Sequence, residues 1–294
     1  MNPKRRHLSL LAAAWAAPLL APRRTWAADS PIGTPGTPGL PGPVGHGDGS
    51  PQWTLLRRRL FGEREILVGE ASRVRLIVPL RAAFGASVPV RIVSRQAPGA
   101  SPRVRRAWLL VDRNPSPLAA TIDFGEDIGP ADLETRLRVD EYGHIRVVHE
   151  LDDGSLHADS RYVKVSGGCS APPNRDTPEL IGRTTLRLPE GLNPGRPTPL
   201  ELTVLHPNDT GFEMNQRTLL YVPAHFVRRL RLQLGGRLLL EAETDFSISE
   251  NPHWRLSFLP RERAEVLSAE IEDSREQHFH ARLDPAGGRD GGGS

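Results

Sequence analysis

The chain contains one cysteine, Cys169, in a segment whose composition suits the presentation of a reactive thiol. Gly167 and Gly168 precede it and Ser170-Ala171-Pro172-Pro173 follows, whereas a structural cysteine usually lies within an apolar run. Since the thiolate is the nucleophile and accessibility decides which thiols react, we predict an exposed side chain that can form a covalent adduct. The two glycines predict a mobile arm. The alternative is a small, buried core cysteine.

If the thiol is exposed, replacing Cys169 should have little effect on the stability of the protein. Replacement of an exposed side chain usually changes the free energy of unfolding by no more than about 0.5 kcal/mol. We therefore expect Cys169→Ser to abolish function while the fold stays intact. Three basic residues near the thiol in sequence, Arg161, Lys164 and Arg175, could lower its pKa or attract an anionic compound. The alternative for these is that they are solvated surface charges.

The other candidate sites are weaker. His278 and His280 would face one way on a strand near Glu272 and Glu276, but a metal site needs further ligands. His206 and His225 favour a structural role in holding a turn by hydrogen bonds. The chain has no P-loop, dinucleotide-binding fingerprint, Gly-x-Ser-x-Gly elbow, Cys-x-x-Cys pair or haem-attachment motif. We therefore predict no cofactor, no metal and no catalytic residue.

The first residues predict export. Arg5 and Arg6 form a twin-arginine pair, and a short apolar run ends at Ala21. This run is too short for a membrane span and is typical of a signal peptide, so residues 1–27 are interpreted as a leader cleaved after Ala27. The predicted location is the periplasm. Residues 28–52 are rich in glycine and proline and are interpreted as a linker.

The net charge of the mature chain removes one argument for a nucleic-acid or membrane partner. The whole chain has 38 basic and 35 acidic residues and a formal charge of +3, but five of the basic residues and no acidic residue lie in 1–27. The mature chain would carry 33 basic and 35 acidic residues, a net charge of −2. This balance gives no support for nucleic acid or an anionic membrane as a partner. The single cysteine excludes an intramolecular disulfide.

Short alternating segments separated by Gly, Pro, Asn and Asp predict an all-β protein of antiparallel sandwiches. Residues 63–70 are the one stretch interpreted as a helical turn. The pattern stops at a proline-rich stretch and then restarts, which divides the chain. The predicted domains are a β-sandwich at 53–172, a linker at 173–184, a second sandwich at 185–283 and a flexible tail at 284–294. A hairpin is expected at Gly235-Gly236.

Several segments resemble two families that work together. In the first half these are Gly85-Ala86-Ser87-Val88-Pro89-Val90, Asp112-Arg113-Asn114-Pro115-Ser116-Pro117 and Val163-Lys164-Val165-Ser166-Gly167-Gly168-Cys169, which resemble SoxY, the thiol carrier of periplasmic sulfur oxidation. In the second half they are His206-Pro207-Asn208-Asp209-Thr210-Gly211, Val222-Pro223-Ala224-His225-Phe226-Val227 and Ser247-Ile248-Ser249-Glu250-Asn251-Pro252, which resemble SoxZ, its partner. The fused arrangement is similar to SoxYZ-like carriers associated with quinoprotein dehydrogenases.

The resemblance implies two immunoglobulin-like β-sandwich domains in tandem that pack against each other. It implies a carrier without catalytic turnover, with Cys169 as the attachment site for sulfur intermediates and Gly167 and Gly168 as the arm. Its partners would be periplasmic enzymes of sulfur oxidation, namely a c-type cytochrome, a manganese hydrolase and a molybdenum–haem enzyme, or the enzymes of a quinoprotein dehydrogenase system. In the family the cysteine lies at the C-terminus, whereas here it is internal and tethered at both ends.

Two alternatives come from other classes. The chain could be a β-sandwich accessory or interaction module of a periplasmic dehydrogenase system, in which Cys169 is incidental. It could also be a thiol-dependent transferase, which would require a base such as histidine within hydrogen-bond reach of Cys169.

Overall fold

The computed structural model describes residues 50–97, 99–262, 264–285 and 289–291. The predicted leader and the linker up to residue 49 lie outside the described residues. Within the described part of the chain, no helix is long and apolar enough to cross a membrane.

One α-helix, α1 (Pro51–Phe61), precedes the strands. Ser50 caps it, since its Oγ accepts the Trp53 N–H at 3.2 Å, and Pro51 occupies the first turn. Phe61 buries its ring edge-on against Trp108, with the centroids 5.0 Å apart. The prediction of a helical turn at 63–70 was therefore wrong. The helix begins inside the stretch interpreted as linker, and 63–70 contains only a short strand and a 3-10 turn at Gly69–Ala71.

Sixteen strands follow among the described residues. Their bounds are β1 Ile66–Leu67, β2 Val74–Ile77, β3 Val88–Ser94, β4 Val104–Val111, β5 Leu118–Phe124, β6 Ile128–Leu137, β7 Gly143–Leu151, β8 Leu156–Val163, β9 Thr184–Arg187, β10 Thr198–Val204, β11 Val227–Leu234, β12 Arg237–Thr244, β13 His253–Phe258, β14 Leu267–Asp273, β15 His278–Asp284 and β16 Arg289–Gly291.

The strands form two sheets that pack face to face. One has ten strands in the order β1-β8-β7-β4-β5-β12-β11-β14-β15-β16, and the other has six in the order β2-β3-β6-β13-β10-β9. The predicted hairpin at Gly235-Gly236 is confirmed, since both glycines have positive φ, 54° and 80°, and join β11 to β12. The predicted flexible tail contains β16, which pairs with β15.

Each sheet runs through both halves of the chain, so the fold class of an all-β tandem sandwich is confirmed with one addition. In the larger sheet, β5 of the first half pairs antiparallel with β12 of the second over five residue pairs, from Leu240↔Phe124 to Thr244↔Ala120. In the smaller sheet, β6 pairs antiparallel with β13. An edge strand has unpaired N–H and C=O groups, and at this junction the strands of each half provide the hydrogen-bond partners for the strands of the other.

The hydrophobic core is continuous across the junction. A single cluster of buried side chains includes Leu76 and Ile122 from the first half and Leu202 and Trp254 from the second, all no more than 1% exposed. The expected packing of the two halves is therefore confirmed, and main-chain pairing of strands accompanies the apolar contact.

Because the two halves share paired strands and a core, we predict that they stay together after the chain between them is cut. A protease site inserted between Thr177 and Pro178, both exposed, should be cut in the folded protein. We expect the two fragments to co-elute in gel filtration and to separate only in urea, because separation would expose two strand edges on each half and a shared core. Fragments that elute apart in native buffer would contradict this account.

Candidate functional site

The arm, residues 165–173, leaves β8 and lies in a groove between the two halves. Gly167 has φ +75° and donates its N–H to the Asp140 carbonyl at 2.8 Å. Gly168 donates to the Val139 carbonyl at 2.9 Å, and Cys169 donates its N–H to Asp140 Oδ1 at 3.3 Å. Three successive backbone donors are thus satisfied by one segment of the first half.

Gly168 allows the arm to pack closely against the first half, whereas the sequence predicted that the two glycines would make the arm mobile. A Cβ at this position would lie 2.3 Å from the Gly85 carbonyl oxygen and 2.5 Å from that of Val139. A Cβ on Gly85 would in turn lie 2.6 Å from the Ser166 carbonyl oxygen. Two glycines facing each other therefore let two backbone segments come closer than any side chain permits.

Cys169 is buried, and the prediction of an exposed thiol was wrong for this conformation. The residue is only 1% exposed. Burial raises the pKa of its thiol to about 12, and the nearby Asp140 carboxylate acts in the same direction, with Arg138 opposing both. The thiol is therefore protonated and a poor nucleophile while the arm is in place. Cys169→Ser would bury a hydroxyl here, at a cost of about 1–3 kcal/mol, so Cys169→Ala is the better substitution.

Arg138 holds the arm through the hydrogen bonds of its guanidinium group. It follows β6, is 1% exposed, and its Nη1 donates to the carbonyls of Gly168 at 3.0 Å and Ala171 at 3.3 Å. Its Nη2 donates to the carbonyls of Pro207 and Asn208 in the second half, at 3.4 and 3.3 Å. One guanidinium therefore joins the arm to both halves. Sequence reasoning did not identify this residue, because an arginine next to a strand is normally exposed.

The loop after β4 supports this arrangement. Asn114 Nδ2 donates to the Arg138 carbonyl at 2.8 Å and to Ser247 Oγ at 2.9 Å, and its Oδ1 accepts the Asp140 N–H at 2.9 Å. The side chain is 4% exposed. A buried asparagine thus fixes the segment 138–140, on which the arm rests, and connects it to the second half.

The second half closes the groove over the arm. Thr210 Oγ1 donates to the Cys169 carbonyl, and the Asn174 N–H is donated to Glu250 Oε2 at 2.9 Å. Arg175 forms ion pairs with Asp209 and Glu213. The chain is therefore held on both sides of Cys169. We call Gly85, Arg138, Val139, Asp140 and Thr210 the cradle.

Two of the three basic residues predicted to act on the thiol have other partners. Arg161 pairs with Asp159 at 2.7 Å, and Arg175 with the two carboxylates named above. No hydrogen bond to Cys169 Sγ is present in the described part of the chain. This arrangement gives the transferase alternative no support.

A buried cluster of His206, His225 and Asp273 supports the loops around Thr210. His225 Nε2 lies 2.7 Å and His206 Nε2 3.6 Å from Asp273 Oδ2, and among the described residues these three alone have ligand atoms grouped as a metal site requires. However, His206 Nδ1 accepts the N–H of Asn208 at 3.1 Å, so its Nε2 carries the proton. A protonated Nε2 cannot bind a metal, and the cluster is better described as a carboxylate that accepts a hydrogen bond from His225, with His206 Nε2 beyond hydrogen-bond distance.

Asp273 should therefore contribute strongly to stability. Burial raises its pKa, but hydrogen bonds from the Gln277 N–H, His225 and the Arg275 N–H outweigh burial and lower the pKa below its ordinary value. Asp273→Asn keeps the shape and removes the charge, and we expect about 2–3 kcal/mol less free energy of unfolding in urea titrations at pH 7. The matched control is Asp176→Asn, on an exposed residue between the two domains, which should change the free energy of unfolding little. A loss below about 0.5 kcal/mol for Asp273→Asn would contradict the assigned role.

The second histidine pair does not form a site. His278 and His280 are exposed on β15, where they face Glu272 and Glu270 across the antiparallel pair. Of the described residues, no third ligand joins them in a cluster. They border a shallow cavity of about 210 Å³ together with Arg229 and Arg231.

An open cavity of about 540 Å³ lies beside the arm, between Ser170 and Pro172 and the loop at 212–221. That loop exposes an unusual number of large apolar side chains. The fractional exposures are Phe212 45%, Met214 40%, Leu219 70%, Leu220 68% and Tyr221 63%. Contiguous exposed apolar surface of this kind often marks an interaction site.

Comparison with known proteins supports both halves of the sequence interpretation. Residues 57–169 match the family model for sulfur oxidation protein SoxY, and residues 186–284 match that for sulphur oxidation protein SoxZ. The SoxY match ends at Cys169, the residue that the cradle encloses.

Solved structures add limited detail. The sulfur carrier protein SoxY from Chlorobium limicola f thiosulfatophilum is 22% identical, with a TM-score of 0.32, covering 40% of this chain and 97% of that one. A β-glycosidase from Bacteroides vulgatus is 9% identical, with a TM-score of 0.24, covering 74% of this chain and 25% of that one. A search of curated proteins gave no match. With a SoxY domain followed by a SoxZ domain in one continuous two-sheet fold, the chain is a fused SoxYZ-like protein.

Proposed function

We propose that the protein is an exported carrier that holds sulfur-containing intermediates covalently on Cys169 and presents them to partner enzymes in the periplasm. The SoxY and SoxZ domains support a role as a sulfur-oxidation carrier. The observation that carries the proposal is the position of the unique thiol. It stands at the end of the SoxY domain, on an arm held jointly by both domains.

The carrier role requires the arm to leave the cradle. In the closed conformation the thiol is protonated and shielded from solvent, which protects it from adventitious oxidation. Opening would break the hydrogen bonds from Arg138, Thr210 and the arm's own N–H groups, while strand pairing elsewhere stays intact. The open thiol would regain a pKa near that of a free cysteine and become reactive.

The exposed apolar loop at 212–221 supports the proposal that partner enzymes bind this protein. It lies beside Ser170 and Pro172, where the arm emerges, so a protein bound to it would be next to the arm. The partners proposed are enzymes of sulfur oxidation or of a quinoprotein dehydrogenase system. An internal arm, tethered at both ends, has a shorter reach than a free chain terminus, so the partner's reacting group must come close to the carrier surface.

A second candidate is a non-carrier accessory module, and one observation favours it. Cys169 is 1% exposed with a raised pKa, as expected for an inert core cysteine. The two candidates differ in what happens to the thiol in the cell.

The test is the intact mass of protein purified from the periplasm of its own cells, measured before and after a thiol reductant. The carrier proposal predicts an added mass on part of the molecules, removed by the reductant and absent from Cys169→Ala. It also predicts loss of function in that variant with little loss of stability. An unmodified mass, together with normal function of Cys169→Ala, would establish the accessory module instead.

A further inference from the structure

A cavity of about 220 Å³ lies between helix α1 and the larger sheet, away from the arm. It is lined by residues of α1, of β1 and the position after it, and of β7 and β8. A second cluster of apolar side chains, separate from the main core, packs α1 onto this face of the sheet. The apolar residues that line the cavity are Trp53, Ile66, Val68 and Ala158.

One buried hydroxyl group in the wall of this cavity has no partner. Ser160 is 4% exposed, and its Oγ has no hydrogen-bond partner among the described residues. It follows Ala158 by two positions in β8, so both side chains point to the face of the strand on which the cavity lies. Because burial of a hydroxyl without a hydrogen bond costs free energy, a polar group that bonds to Ser160 from the cavity is favoured.

An ion pair fixes the aromatic wall of the cavity. Arg146 Nη2 lies 2.7 Å from Asp112 Oδ2, and both side chains are only 3% exposed. The guanidinium carbon of Arg146 lies 4.5 Å from the ring centroid of Trp53, in a cation–π contact. The indole ring is therefore held in place before a ligand binds, which reduces the entropy lost on binding. Asp112 compensates the charge of Arg146.

Arg57 provides a positive charge that has no such compensation. It lines the cavity, is half-buried, and its Nη2 donates to the Arg64 carbonyl at 3.1 Å. No carboxylate of the described residues lies within 4.0 Å of its guanidinium. The carboxylate of Asp159, which also borders the cavity, pairs with Arg161 at 2.7 Å and accepts the Leu76 N–H at 2.8 Å. The cavity thus combines apolar walls with one available cation.

We propose that this cavity binds a small aromatic carboxylate with a ring hydroxyl, placing the carboxylate on Arg57, the ring against Trp53 and the hydroxyl at Ser160. The size agrees, since an apolar cavity of about 150 Å³ binds benzene, and the larger volume here accommodates a ring with two small substituents. Mainly apolar walls with a few polar groups are typical of small-molecule sites. This binding site is separate from the cradle, and the proposal does not rest on the carrier function.

The probe is 4-hydroxybenzoate, titrated into the full chain by isothermal titration calorimetry at pH 7. Two relatives of the probe each lack one contact: benzoate has no hydroxyl group, and 4-hydroxybenzamide has no negative charge. We expect one 4-hydroxybenzoate per chain, bound at least about tenfold more tightly than 4-hydroxybenzamide, because hydrogen bonds between charged groups are the stronger ones. It should also bind more tightly than benzoate.

Variants assign each contact to a residue. Arg57→Gln should weaken 4-hydroxybenzoate at least about tenfold and leave 4-hydroxybenzamide unchanged. The matched control is Arg58→Gln, on the next and exposed residue of α1, which should change neither affinity. Ser160→Ala should remove the advantage of 4-hydroxybenzoate over benzoate. Ala158→Ile should fill the cavity and abolish binding of all three compounds.

The outcomes that would overturn the proposal are distinct. Absence of binding by all three compounds at millimolar concentration would show that the cavity is not a site for this class of ligand. Equal affinity of Arg57→Gln and the wild type for 4-hydroxybenzoate would overturn the role of the carboxylate. If Ala158→Ile does not fold, the comparison of Arg57→Gln with Arg58→Gln decides. Cys169 takes part in none of these measurements, so their failure leaves the carrier function untouched.

Discussion

Gly168→Ala should release the arm and accelerate labelling of Cys169 by a thiol reagent at least about tenfold. The reason is steric, because the new Cβ would lie 2.3 Å from the Gly85 carbonyl oxygen and 2.5 Å from that of Val139, both backbone atoms. Tenfold corresponds to about 1.4 kcal/mol in the opening equilibrium, which is modest for a forced overlap in a packed site. The measurement is the second-order labelling rate at pH 7.5, with the free energy of unfolding determined in parallel.

Gly125→Ala is the matched control. Its Cβ would also meet a backbone carbonyl, that of Leu238, but in the turn between β5 and β6 rather than at the arm. It should destabilise the whole protein and accelerate labelling only as far as global unfolding explains. If Gly168→Ala labels no faster than its own global stability predicts, the arm does not open as a separate unit, and the closed cradle is part of the rigid core.

Acid should destabilise the protein steeply between pH 6.5 and about 4, because two buried histidines are held neutral. Burial, with a smaller contribution from the charge of His157, lowers the pKa of His149 to about 3. Burial, followed by the charge of His225, lowers that of His206 to about 4, against the attraction of Asp273. The unfolded chain therefore takes up protons first as the pH falls. The contribution of these two histidines to the free energy of unfolding is therefore complete above about pH 6.5. It is lost as the pH falls towards their pKa values in the folded protein.

Each histidine contributes a slope of about 1.4 kcal/mol per pH unit, so the expected slope of the free energy of unfolding is about 2.7 kcal/mol per unit over this interval. Urea unfolding at half-unit steps from pH 7.5 to 4.5 measures it. His149→Phe should remove about half of the slope, since neither nitrogen of His149 has a hydrogen-bond partner within the described residues. His280→Gln, on an exposed strand face, should leave it unchanged. A flat profile above pH 5 would show that these imidazoles accept protons in the folded state.

The strands were predictable because alternation is a local property. In β10, for example, Leu200, Leu202 and Val204 are buried and the residues between them are less so, as the sequence pattern requires. The helix α1 was missed since its Ser50-Pro51 start follows a proline-rich stretch that suggests a linker. The pairing of β5 with β12 was not predictable either, because nothing in an edge strand specifies a partner more than a hundred residues away.

The sequence predicted which residue forms the candidate site, but not that its side chain is buried. Cys169 was identified from its uniqueness and its glycines, and these same glycines suggested mobility. The burial of the thiol depends on Arg138, 31 residues earlier, and on Thr210, 41 residues later, neither of which is marked by local sequence. Charged and hydroxyl side chains are mostly exposed, so only the folded chain shows that these two enclose the arm.

The central claim is that Cys169 is a working thiol on an arm that opens from a closed resting position. It is tested most directly by incubating the folded, urea-free protein with tetrathionate and following its intact mass. The thiolate of an open arm would attack an inner sulfur and release thiosulfate, leaving Cys169 as a thiosulfonate. We predict a single, reductant-reversible addition, slow in the wild type, faster in Gly168→Ala and absent from Cys169→Ala. No addition to either folded protein over many hours, with immediate addition in urea, would show an inert core cysteine and contradict the account.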